Sequence, residues 1–127
     1  MATNNLQFPE IATSQASPEV THNDALQAID DNLTKYLDVD CSAGGTISVT
    51  AANFRAQRVL RLTGSPAGSF TLEVPLVQRE FAVLNESGQQ ATVQQTSTPG
   101  NTVTVANTVY SVLYATAGTS KDIFKAA

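Results

Sequence analysis

The sequence predicts a mainly β fold: an N-terminal extended arm and one short α-helix, followed by a small antiparallel β-sandwich or barrel. Three observations carry this expectation. Apolar residues recur at helical spacing in one stretch only, roughly residues 21–37. From Cys41 onward the period drops to two, the signature of half-buried strands. Turn signals rich in Gly, Pro, Asn and Ser then cut that section into seven or eight short pieces.

The elements follow in order. Residues 1–20 read as an extended arm, because Pro9 and Pro18 bias the residues before them away from helix. Leu6, Phe8, Ile11 and Val20 make the arm apolar enough to lie on another surface. The helix is expected over 21–37, with Thr21 as its N-cap and Asp24 completing a pair that resembles a capping box. Leu26, Ile29, Leu33 and Tyr36 with Leu37 form an apolar stripe, and Gln27, Asp31, Thr34 and Lys35 a polar face. Such a stripe suits packing on a sheet, or a small bundle formed with symmetry mates. Strands are expected over 46–50, 59–63, 70–74, 81–84, 91–94, 102–105, 109–114 and 122–125. Asn53 to Ala56 breaks the alternation and reads as a turn, and Pro75 ends a strand. The division falls near residue 41, giving an attachment segment of 1–40 and a β-domain of 41–127.

Composition narrows the function. Only 14% of the 127 residues are charged, against about a quarter in ordinary globular chains, so the surface relies on uncharged polar groups. Up to Asp40 seven acids face Lys35 alone, whereas beyond it six bases face four acids. No basic cluster is interleaved with aromatics, which argues against nucleic-acid binding. The apolar runs are too short for membrane insertion, and no signal peptide is evident, so synthesis in the cytoplasm is expected.

Candidate chemistry fails residue by residue. One cysteine and one histidine exclude a zinc site built on those ligands. His22 with Asp24 lies in a single turn without a nucleophile elbow, so it is read as structural. Asp38 and Asp40 lack the spacing and glycine turn of a calcium loop. Glu73, Glu80, Glu86 and Asp122 offer no evident acid–base pair for glycoside hydrolysis. Gly44-Gly45 and the 64–68 segment read as turns, since no phosphate-loop lysine follows. Cys41 is expected to be small and buried, and Arg55, Arg58 and Arg61 to face solvent or a subunit. No catalytic residue, metal or cofactor is therefore expected, and the chain is read as a non-enzyme.

One segment carries a resemblance. Phe8-Pro9-Glu10-Ile11, followed by Gln15-Ala16-Ser17-Pro18-Glu19-Val20-Thr21-His22-Asn23-Asp24-Ala25-Leu26 and then Ile29-Asp30, covers about a quarter of the chain. It resembles the "LPxI…QAQKxVTHNEALxxLD" segment of a family of tailed-bacteriophage and gene-transfer-agent proteins, departing from it at Ser17-Pro18-Glu19. More loosely, Leu60-Arg61-Leu62-Thr63-Gly64, Val74-Pro75, Phe81-Ala82-Val83-Leu84-Asn85 and Val112-Leu113-Tyr114 resemble modules of phage fibres and spikes. The resemblance implies a virion structural component: a fibre, spike or decoration subunit, or the adaptor that anchors one. It implies a homotrimer or other symmetric oligomer in contact with other virion proteins. The expected attachment surface is Phe8, Ile11, Val20, Thr21, His22, Asn23, Leu26, Ile29 and Leu33. The alternative is a receptor-recognition module for a host-surface glycan, using Tyr110, Tyr114, Phe70 and Phe81. The alternation of Tyr110, Val112 and Tyr114 on one face instead places those rings in the core.

Overall fold

A computed structural model describes residues 5–10, 16–96, 100–117 and 121–126. Helix α1 spans Pro18–Thr34 and is followed by strands β1 (Tyr36–Asp40) and β2 (Thr46–Ser48). A second helix, α2 (Ala51–Ala56), precedes β3 (Val59–Thr63), β4 (Phe70–Val74), β5 (Arg79–Asn85) and β6 (Ala91–Gln95). Strands β7 (Val103–Val105), β8 (Tyr110–Ala115) and β9 (Ile123–Lys125) complete the described part.

From β1 to β6, successive strands go to different sheets. One sheet has the order β1-β3-β5-β8-β9 and the other β2-β4-β6-β7. Each of the first three strand pairs therefore makes one turn of a winding chain. Over that stretch neighbours within a sheet are alternate strands and run the same way, so β1, β3 and β5 are parallel, as are β2, β4 and β6. This corrects the expectation of an antiparallel arrangement, which holds only for β5 with β8, β8 with β9 and β6 with β7. Nor do the strands close into a barrel, since β1 and β9 edge one sheet and β2 and β7 the other. The fold is mainly β with two mixed sheets.

One hydrophobic cluster draws on both sheets: Leu60, Leu62, Phe81, Val83 and Leu113 from the larger, Leu72, Val74 and Val93 from the smaller. The register stacks like on like between turns. Leu37, Leu60 and Val83 are aligned in one sheet, and Ile47, Leu72 and Val93 in the other. Asn85 is fully buried in this core, yet its amide is satisfied. It donates to the carbonyls of Gln89 and Val105 and accepts from the backbone and hydroxyl of Ser87, as a buried amide must.

Helix α1 differs from its expected bounds, and α2 is a second helix where the sequence predicts only one. Pro18 occupies the first turn of α1, where its missing N–H costs nothing, so the helix starts ahead of Thr21. Thr21 is then internal rather than the cap. The cap position is Ser17, whose side chain makes no capping bond. At the other end Lys35 is extended, and Tyr36 and Leu37 belong to β1, which pairs with β3. The 53–56 turn is the end of a short helix, which Thr50 caps by accepting a bond from Asn53 N–H at 3.2 Å. Its Phe54 is fully buried and meets the Phe81 ring edge to face, with centroids 4.9 Å apart.

Candidate functional site

Two surfaces stand out once the fold is in place: the outer side of α1 and the outer face of the five-stranded sheet.

Helix α1 buries one residue, and it is polar. Asn32 lies beneath the helix, where its Nδ2 donates to the Arg55 carbonyl and its own carbonyl accepts from Arg58 N–H at 3.0 Å. Its Oδ1 accepts from Arg79 Nη2 at 3.0 Å. Arg79 is itself buried at the start of β5, with Nη1 donating to the Phe54 carbonyl at 2.9 Å and Nε to the Glu80 carbonyl at 2.8 Å. The guanidinium also stands 5.8 Å from the Phe54 ring centroid. Burial, and then repulsion from Arg58, holds its pKa below the usual arginine value. A polar latch, rather than apolar packing, thus ties α1 to α2 and β5.

With the latch on its inner side, α1 turns its apolar stripe outward. Leu26 is 53% exposed, Ile29 39% and Leu33 65%. The inner side carries Ala25 and Ala28, which are half-buried, and Asn32. This overturns packing of the stripe on the sheet. Among the other expected attachment residues, Val20, His22 and Asn23 are exposed and Thr21 is half-buried. Phe8 is half-buried and, with Leu6, Ala28, Ala52 and Arg55, lines a cavity of about 320 Å³ beside the helices. Ile11 lies outside the described residues. The structure therefore gathers Val20, Leu26, Ile29 and Leu33 on the exposed surface of one helix and sets Phe8 on its inner side.

On the sheet the aromatics divide. Phe70 and Phe81 are core residues, but Tyr110 and Tyr114 point outward, 50% and 39% exposed, which corrects their expected core position. The inward residues of β8 are Ser111, Leu113 and Ala115. Sequence alternation found the two faces of this strand and assigned them the wrong way round. The signal available was Leu113 with Ala115, a small apolar pair suited to a tight core. Tyr36 and Phe124 join the outer face. Arg61 also lies there, 5.2 Å from the Tyr36 ring centroid, and pairs with Asp38 and Glu86, while Arg58 pairs with Glu80 at 2.6 Å.

Nothing in these surfaces assembles a nucleophile, a base and a stabiliser. His22 and Asp24 are both exposed on α1. Among the described residues no three of His, Cys, Asp and Glu converge to hold a metal, and no helix is long and apolar enough to cross a membrane. Cys41 is fully buried, and burial, followed by the charge of Asp40, pushes its thiol up to about 11. The sign of its linkage follows. An unfolded chain ionises Cys41 near 9.0, whereas the folded chain resists until about 11, so this contribution to stability is intact below the lower value and lost on rising through the upper. Denaturant midpoints of the native chain should fall across that window more steeply than those of Cys41→Ala, and parallel curves would refute the assignment. No family model, curated protein or solved structure matches the chain.

Proposed function

We propose that this protein is a structural component of a bacteriophage or phage-like virion, a fibre, spike or decoration subunit or the adaptor anchoring one, which assembles through α1. The observation that carries the reading is the outward stripe of Leu26, Ile29 and Leu33 on a helix whose single buried residue is Asn32. Leu26, Ile29 and Leu33 follow a three-four spacing, the seam that helices use to pack against copies of themselves. A helix held by polar contacts and showing its apolar side to water is built to be covered. The similarity of the Val20-Thr21-His22-Asn23-Asp24-Ala25-Leu26 segment to phage and gene-transfer-agent proteins supports a particle as the setting.

The test is a double substitution, Leu26→Glu with Leu33→Glu. Both sites are exposed in the single chain, so the β core should melt as before. Sedimentation should show the native chain as a symmetric oligomer and the variant as a monomer. The variant should also be missing from particles produced in its presence. Native chains that stay monomeric at every concentration, or a variant incorporated as well as the native chain, would sink the proposal.

A further inference from the structure

The outer face of the five-stranded sheet is organised in three level rows. The register places Tyr36, Val59, Ala82 and Val112 side by side. Asp38, Arg61, Leu84 and Tyr110 form a second row, and Glu80, Tyr114 and Phe124 a third. All three tyrosines of the chain are on this face. Tyr110 and Tyr114 are four residues apart on β8, which separates them by about 13 Å, and Tyr36 sits three strand spacings away, about 14 Å. Val59, Ala82 and Val112 lie between the rings, so the rings stand around a low centre.

Two of the three tyrosine rings are held by their hydroxyls. Arg61 Nη1 donates to Tyr36 Oη at 3.0 Å, and Gln78 Nε2 to Tyr114 Oη at 2.8 Å. Arg58 is anchored on Glu80. Rings fixed at the tip and open on the side lose little freedom when something stacks on them. The charges are also spoken for: Arg61 answers Asp38 and Glu86, and Arg58 answers Glu80. Three acids against two bases leave the patch at −1, which disfavours a polyanion. A dry protein interface is disfavoured too, because charged side chains are interleaved through the patch and interface cores are depleted of them. A neutral, hydroxyl-rich ligand suits both properties, since its apolar faces can stack on rings while its hydroxyls bond to the fixed carboxylates, amides and guanidinium groups.

We propose that this face is a binding platform for a neutral oligosaccharide, with Tyr36, Tyr110, Tyr114 and Phe124 as stacking groups and Arg61, Gln78 and Glu80 as polar contacts. The site is separate from the α1 stripe and does not depend on the assembly reading. The chain has no tryptophan, so tyrosine fluorescence and tyrosine ring resonances report on this face alone.

The experiment titrates the full chain with neutral hexose oligomers (maltohexaose, cellohexaose and mannohexaose), with a heparin hexasaccharide as the anionic comparison. At least one neutral oligomer should shift all three tyrosine ring signals saturably below about 10 mM, while heparin leaves them still. Tyr110→Ala and Tyr114→Ala, each at an exposed site, should weaken that binding roughly tenfold, and Leu26→Glu with Leu33→Glu should leave it unchanged. No response to any neutral oligomer, a response to heparin alone, or unaltered affinity in both tyrosine variants would overturn the proposal. So would tyrosine signals that move with protein concentration but not with sugar, which would make the face an interface between copies.

Discussion

Replacing Arg79 with methionine should release α1 while leaving most of the β structure in place. The native guanidinium holds Asn32 from α1 and the Phe54 carbonyl from α2 at once, and among the described residues no other side chain bonds to both. Methionine keeps much of the volume but strands a buried amide oxygen and a buried carbonyl, each worth about 1–3 kcal/mol when left unpaired. Undocking the helix is the cheaper way to rehydrate them, so the loss is local and amounts to about 3 kcal/mol. Hydrogen exchange should then show residues 18–34 opening far more often, with the protection of β3, β5 and β8 little changed. Lysine at the same position should not restore docking, because an ammonium lacks the planar fork that spans two acceptors. Unchanged protection in α1 would mean that the helix is held by something other than the latch.

The second large effect should come from Gly64→Ala, and it should be global. Gly64 ends β3 with φ at +89°, a conformation that L residues rarely adopt. A Cβ there would stand 2.7 Å from the Ser42 backbone nitrogen, 2.8 Å from Asp40 Oδ1 and 3.2 Å from the Cys41 nitrogen. Backbone strain and overpacking act together, and each costs about 1–3 kcal/mol. A side chain at Gly64 must push the first turn of the chain away from the second, breaking the bond from Cys41 N–H to the Thr63 carbonyl. A combined loss of about 3 kcal/mol should appear as a lower denaturant midpoint with a single transition. Gly45→Ala serves as the comparison, since it shares a positive φ but has nothing within 4 Å of the added carbon, and it should cost less. Equal losses would show that conformation alone, without the close approach, sets the requirement at Gly64.

Much of the strand content was legible in the sequence, and the bounds of β3 and β4 matched to the residue. The pairing was not. Alternation reports which side chains share a face and says nothing about the direction of the neighbouring strand. The missed clue was a spacing: Tyr36, Val59 and Ala82 are aligned at intervals of 23 residues, and Thr46, Thr71 and Thr92 at 25 and 21. Such a repeat marks a winding chain, but its members share hydrophobic character more than identity, which hides it. Strand β1 was hidden for a different reason. Tyr36 and Leu37 continue the helical spacing of Leu26, Ile29 and Leu33, and only tertiary pairing with β3 pulls them into the sheet. As for the candidate site, periodicity found the α1 stripe but could not tell which way it faced. That direction is set by Asn32 and Arg79, 47 residues apart, and no local pattern connects them.

That separation also imposes an order in time. During synthesis α1 leaves the ribosome well before β5, yet the arginine that completes its latch is the first residue of that strand. Until β5 has been made and laid beside β3, the helix has only its bonds to Arg55 and Arg58 and lacks the guanidinium that completes the latch. Each new turn pairs with the one made just before it, so the sheets can grow in step with translation. The chain therefore fixes the exposed stripe of α1 fully only once its first two turns have been built and the third begun.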